Sequence, residues 1–308
     1  MQIKKVLVTG SSGTIGTRLC ERLMAETGIE VTGVDREPNQ WNSQVQAITQ
    51  VADLRQEETF ERLPRELDLV IHLAANARVY ELVVDPDKAR DNFLTIFNTL
   101  EFCRRNQIPR FMFASSREVY GNSEMVTHAE NTVRVDLCES PYSASKLGGE
   151  ALVRSYQQCY GMDFIIFRFS NVYGMYDNSE RLVPLFIRRT RAGEDLTVYG
   201  EDKLLDFTYI DDAVDGVMLS MEGFQGAKNE VYNIAFGEGR TLVEVAERIQ
   251  QRLEVKKPIR IENTRTGEVV KYIADTSKAR QNFNFAPKVP LSEGLKKSVE
   301  WYQQHLLG

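Results

Sequence analysis

No stretch of this 308-residue chain approaches the ~20 consecutive apolar residues of a membrane span, so a membrane partner is not expected. Histidine is scarce, at three, and the four cysteines lie far apart. Cys20, Cys103, Cys138 and Cys159 lack the paired spacing of metal ligands, so no metal site is expected. Thiols so arranged suit a reducing compartment, and a cytoplasmic location is the expectation. The opening Met1-Gln2-Ile3-Lys4-Lys5 runs straight into a predicted strand, which leaves no room for a signal peptide. A basic surplus is missing as well: Asp and Glu outnumber Lys and Arg by 44 to 38, a net charge of −6, which argues against nucleic acid as a partner. There is no internal repeat, low-complexity tract or linker.

What is present is a regular alternation. Short β-rich runs at 6–9, 31–35, 48–53, 69–73, 111–114 and 164–167 are separated by helical patterns. That order predicts an α/β fold with a doubly wound parallel sheet and helices on both faces. The chain exceeds one typical domain, and the alternation breaks after Asn171. We therefore expect one unit from residues 1–170 plus 206–236 and a smaller α/β unit from 171–205 plus 237–308. A helix at 91–105 carries Phe93, Ile96, Phe97, Leu100 and Cys103 on one face, and the helix around Tyr142 carries Leu147, Ala151 and Tyr156. Burial against the sheet is the direct reading of both stripes.

Three motifs carry chemistry. The first is Thr9-Gly10-Ser11-Ser12-Gly13-Thr14-Ile15-Gly16, between an apolar strand and a helical pattern at 17–24. Glycines there allow a tight turn and let a pyrophosphate approach backbone N–H groups at a helix N-terminus. Nineteen residues beyond Gly16 stands Asp35, at the end of the next strand. A carboxylate at that place accepts hydrogen bonds from ribose hydroxyls and repels a 2′-phosphate, which predicts NAD rather than NADP. The second motif is Tyr142 and Lys146, one helical turn apart. A cation beside a phenol favours the phenolate, so the spacing predicts a tyrosine usable as a base near neutral pH. The third is Ser115-Ser116-Arg117-Glu118-Val119-Tyr120-Gly121, at the end of another apolar strand.

With these motifs, and with Asp53-Leu54, His72-Leu73-Ala74-Ala75, Asn92, Arg168-Phe169-Ser170-Asn171, Asp206-Phe207-Thr208-Tyr209 and Arg265-Thr266-Gly267-Glu268 in order, the chain resembles the extended short-chain dehydrogenase/reductase family. Within it, the nucleotide-sugar epimerases, dehydratases and decarboxylases are the most similar. The resemblance spans nearly the whole chain and implies a Rossmann-type sheet and an NAD-dependent nucleotide-sugar 4-epimerase. It assigns Gly10, Gly13, Thr14, Ile15, Gly16, Asp35, Asp53, Leu54, Leu73, Ala74, Ala75 and Asn92 to the cofactor. Tyr142, Lys146, Ser116 and Glu118 become the catalytic candidates, with Lys146 also touching the nicotinamide ribose. Asn76, Arg117, Asn171, Arg181, Tyr199 and Arg265 become candidates for the nucleotide-sugar substrate. The resemblance also implies a homodimer through the helices at 89–106 and 141–160.

In that scheme Tyr142 takes the proton of the sugar 4-hydroxyl and Ser116 hydrogen-bonds the same oxygen, giving a transient 4-ketone. Two departures bear on the substrate. Relatives usually place an arginine before Asp-Phe-Thr-Tyr, where this chain has Leu205. Similar dehydratases carry Asp-Glu at the positions of Arg117 and Glu118, and a guanidinium cannot replace the acid because it stays protonated. Arg117 suits the C6 carboxylate of a hexuronate; its alternative role is to pair with Glu118 or Glu124. A decarboxylase or 4,6-dehydratase sharing the C4 oxidation is the second reading, and a catalytically idle NAD-binding protein the third.

Overall fold

The structure, a computed structural model, describes residues 3–305. Seven parallel strands form the main sheet: β1 (Lys5–Thr9), β2 (Glu30–Asp35), β3 (Thr49–Val51), β4 (Leu69–His72), β5 (Arg110–Ser116), β7 (Asp163–Phe169) and β11 (Glu230–Ile234). Their spatial order is β11-β7-β5-β4-β1-β2-β3. Strands β4 and β5 are buried at every residue, which is why their sequences read as continuous rather than alternating apolar runs. The order reverses between β1 and β4, and in such sheets ligands bind beyond the carboxyl ends of the strands at that reversal. Thr9 and His72 close the two strands there, with Thr9 Oγ1 and His72 Nδ1 2.9 Å apart.

Helices cover both faces. On one, α1 (Thr14–Ala25), α7 (Ile210–Glu222) and α10 (Ser277–Phe283) pack around Leu19, Leu23, Val214, Val217 and Phe283. On the other, α4 (Asp87–Arg105) and α5 (Pro141–Tyr160) pack through Ile96, Leu100, Cys103, Val153 and Tyr156. The predicted stripes split here. Ile96, Leu100 and Cys103 are buried, but Phe93, Leu94 and Phe97 of α4 are exposed, as is Ala151 of α5. The strand expected at 48–53 is only three residues long, because α2 (Ser43–Ile48), capped by Asn42, takes its beginning.

A second apolar core lies among α6 (Leu182–Arg191), α9 (Leu242–Arg252), α11 (Leu291–His305) and a smaller sheet. That sheet runs β12 (Gly239–Thr241), β10 (Leu204–Tyr209), β14 (Lys271–Ala274), β6 (Thr127–His128), with β8 (Asn171–Tyr173) also on β10. Strands β9 (Leu196–Tyr199) and β13 (Ile259–Glu262) pair with each other. Strand β10 thus belongs to the smaller sheet, while α7, which follows it directly, packs on the larger one. Two further short α-helices are α3 (Val79–Val84) beside the site and α8 (Phe224–Ala227).

Candidate active site

The glycine turn is held by close backbone packing. The Gly10 N–H donates to Val34 O (2.8 Å), and Gly10 has φ +74°, where a side chain is strained. A Cβ on Gly16 would stand 1.9 Å from the Gly10 carbonyl oxygen. Helix α1 begins at Thr14 with neither a side-chain cap nor an acidic residue in its first turn, so its leading N–H groups are open to an anion. Asp35 reaches the same turn, its carboxylate accepting from the Ser12 N–H (3.0 Å) and the Glu37 N–H (3.0 Å). An uncapped helix start beside a carboxylate at the end of β2 fits a dinucleotide diphosphate and its ribose. Ile15 packs on the core, and the Thr14 hydroxyl donates to Tyr176 O (3.1 Å).

The other cofactor candidates serve partly as framework. The Ala74 N–H donates to Thr9 Oγ1 (3.2 Å), with Leu73 and Ala75 on either side at the carboxyl end of β4. Leu54 is buried, and Asp53 is gripped by Arg55, whose hydrogen bonds hold the carboxyl below its ordinary pKa. Asn92 accepts from the Asn76 N–H (2.7 Å) and donates to Asn76 O and to Ser145 Oγ (3.1 Å), tying the loop after β4 to α5.

Ser116 ends β5 and starts a 3-10 turn, accepting from the Glu118 N–H (3.2 Å). Its hydroxyl also faces the Tyr142 phenol closely enough to act on that group's ionisation. Tyr142 lies near the start of α5, whose cap Ser140 accepts from the Ser143 N–H, with Pro141 opening the helix. The phenol is raised above its ordinary pKa, not lowered as the spacing predicted. Burial raises it most; the Ser116 hydroxyl and the charges of Arg181 and Arg117 oppose that, while Glu118 adds to it. Lys146 Nζ lies 5.8 Å from the centre of the Tyr142 ring but donates its hydrogen bond to Ala114 O (2.7 Å). Burial brings its amine down to about 8, against the pull of Glu150.

Arg117 does pair with Glu118 (2.7 Å), and the same Nη2 donates to Asn171 Oδ1 (3.3 Å). Its Nη1 is buried without a hydrogen-bond partner among the described residues. Glu118 is fully engaged, with one oxygen on Arg117 and the other accepting from the Val269 N–H (3.3 Å). Burial raises its pKa. Asn171 donates to the carbonyl of Asp206 (2.9 Å), and Arg181 pairs with Asp177 (3.4 Å). At the far end, the Arg265 guanidinium lies 3.8 Å over the Tyr199 ring and 5.1 Å from that of Tyr80.

Sequence reasoning did not single out Tyr80, the buried Glu150–Arg168 pair (2.7 Å) or the Lys203–Glu268 pair. Glu150 stands four residues after Lys146, a spacing that flags it in the sequence; the other partners are too distant along the chain to be flagged.

Comparisons agree with this geometry. The model of the NAD dependent epimerase/dehydratase family matches residues 6–235. UDP-glucose 4-epimerase of Thermotoga maritima, solved with UDP-glucose, is 30% identical with a TM-score of 0.89, over 98% of this chain and 99% of that one. A dTDP-glucose 4,6-dehydratase of an Actinoplanes species is 30% identical over 97% of this chain and 98% of its own. UDP-glucuronic acid 4-epimerase of Bacillus cereus, solved with a fluorinated UDP-glucuronic acid and NAD, is 25% identical with a TM-score of 0.88, over 97% and 99%. The chain therefore belongs to the NAD dependent epimerase/dehydratase family, and its cofactor is NAD.

Proposed function

We propose that this protein is an NAD-dependent nucleotide-sugar 4-epimerase, acting on a UDP-hexose or UDP-hexuronate through a transient 4-keto intermediate. The observation that carries this reading is the contrast between Tyr142 and Glu118. The Tyr142 phenol stands by Ser116, whose hydroxyl offsets part of the upward pull of burial, whereas Glu118 has both oxygens engaged and is ill placed to remove a C5 proton. When bound, NAD supplies the reversible hydride acceptor at sugar C4. Tyr142 receives the hydroxyl proton, Ser116 orients the oxygen, and Lys146 supplies a cation beside the ring. Arg117 favours the hexuronate, since a buried guanidinium with an unpartnered Nη1 suits an added carboxylate.

The uridine assignment draws on the Thermotoga and Bacillus enzymes. With it go a cytoplasmic enzyme and a two-unit division at the boundaries given above, supported by separate apolar cores. A homodimer through α4 and α5 is supported by the exposed Phe93, Leu94, Phe97 and Tyr160. Mass spectrometry and proton NMR after incubation with UDP-glucose, UDP-glucuronate and their N-acetylated relatives test the reaction. An isomer of unchanged mass with inverted C4 coupling is the expected product. Loss of CO2 or water overturns the epimerase in favour of a decarboxylase or dehydratase.

A further inference from the structure

Most cations near the site are matched by a carboxylate; Lys146, bonded to the Ala114 carbonyl, and Arg265 are not. Arg117 has Glu118, Arg181 has Asp177 and Lys203 has Glu268. Arg265 has no carboxylate at ion-pairing distance among the described residues; its neighbours are the faces of two tyrosines. Tyr199 comes from β9 and Tyr80 from α3, so the guanidinium bridges two parts of the chain that are remote in sequence. Helix α3 has further contacts with both sides of the site. Its Leu82 clusters with Tyr142, and its Val83 lies so near Gly267, two residues from Arg265, that a Cβ on that glycine would stand 2.8 Å from Val83 Cγ2.

A half-buried guanidinium without a counter-ion is a ready anion ligand, and flanking aromatic faces restrict the conformations from which it must be drawn. We propose that Tyr80 is a positioning residue that holds Arg265, through its ring face, as the anchor for the substrate diphosphate. This rests on the nucleotide-sugar reading above. Tyr80 is 42% exposed, so its ring face is accessible beside the guanidinium.

The test is calorimetric binding of UDP to the NAD-loaded protein. Tyr80→Ala should weaken UDP about five-fold, the worth of an exposed cation–π contact. Tyr80→Phe, which keeps the ring face, should restore affinity to within two-fold of the wild type. In an Arg265→Ala background, Tyr80→Ala should cost nothing further, because its effect passes through the guanidinium. Equal affinity of Tyr80→Ala and wild type overturns the proposal, as does an equal loss in both backgrounds or failure of Phe to rescue. If the wild type itself does not bind UDP, the nucleotide-sugar reading falls first; if it binds and Tyr80→Ala binds equally, only this inference falls.

Discussion

Adding one methyl group to the glycine turn separates two reasons for a glycine. Gly16 has ordinary helical backbone, so only space excludes a side chain there. An alanine Cβ would stand 1.9 Å from Gly10 O, 2.8 Å from Gly10 C and 2.9 Å from Ser11 Cα, all backbone atoms. No rotamer change relieves that contact; the turn must shift by about an ångström relative to the 3.0 Å floor of real contacts. Overpacking of this kind costs about 1–3 kcal/mol, and backbone neighbours point to the upper end. The shifted atoms include the turn beside the open N–H groups of α1, so about 3 kcal/mol should appear as roughly 100-fold weaker NAD binding. Gly28→Ala is the control. Its φ is +87° and nothing lies within 4 Å of the added Cβ, so it should cost roughly 1–2 kcal/mol of stability and leave NAD affinity unchanged. Calorimetric NAD titration of both variants, with thermal melts, reads the difference. A Gly16→Ala protein that binds NAD within three-fold of the wild type refutes the steric argument.

Lys146→Met should abolish turnover yet raise stability at pH 7. The buried amine is charged in the fold only below about 8, against an ordinary value of 10.5, so its burial penalty is complete below pH 8 and vanishes as pH rises to 10.5. That difference is worth about 3 kcal/mol, less about 1 for the lost bond to Ala114 O, and urea unfolding at pH 7 and pH 10.5 should show the gain shrinking. A gain that grows with pH contradicts the assignment. Arg117→Lys keeps a cation beside Glu118 but loses the fork, so kcat/KM should fall about ten-fold on UDP-glucuronate and little on UDP-glucose. Equal falls on both would mean that Arg117 does not touch the carboxylate. Phe97→Glu on the exposed face of α4 should convert a dimer to a monomer by light scattering, and a monomeric wild type would dispose of that interface.

Most of the larger sheet was legible because its central strands are buried on both faces and read as short continuous apolar runs such as Phe111-Met112-Phe113 between helical patterns. The smaller sheet was not. It draws strands of two to six residues from five separate segments, the shortest being Thr127–His128 within a loop, so no local pattern marks them. Likewise the apolar face of α4 was read as one stripe, but helical periodicity gives a direction and not what lies in that direction. Ile96 meets the sheet and Phe97, one residue on, meets solvent.

The site divides along the same line. Gly10, Gly16, Asp35, Ser116 and Tyr142 could be read because each owes its place to the strand or helix it ends or begins. The sign of the Tyr142 shift could not. Four-residue spacing puts Lys146 on the same helical face, yet the Ala114 carbonyl on β5 takes the ammonium hydrogen bond. An amine spent on a carbonyl stabilises phenolate only through space, while burial acts on the phenol directly, so burial wins in the protein by itself. Arg117 and Arg181 pull the other way, so the positive charge that favours the phenolate comes from outside the helix turn that carries Tyr142 and Lys146.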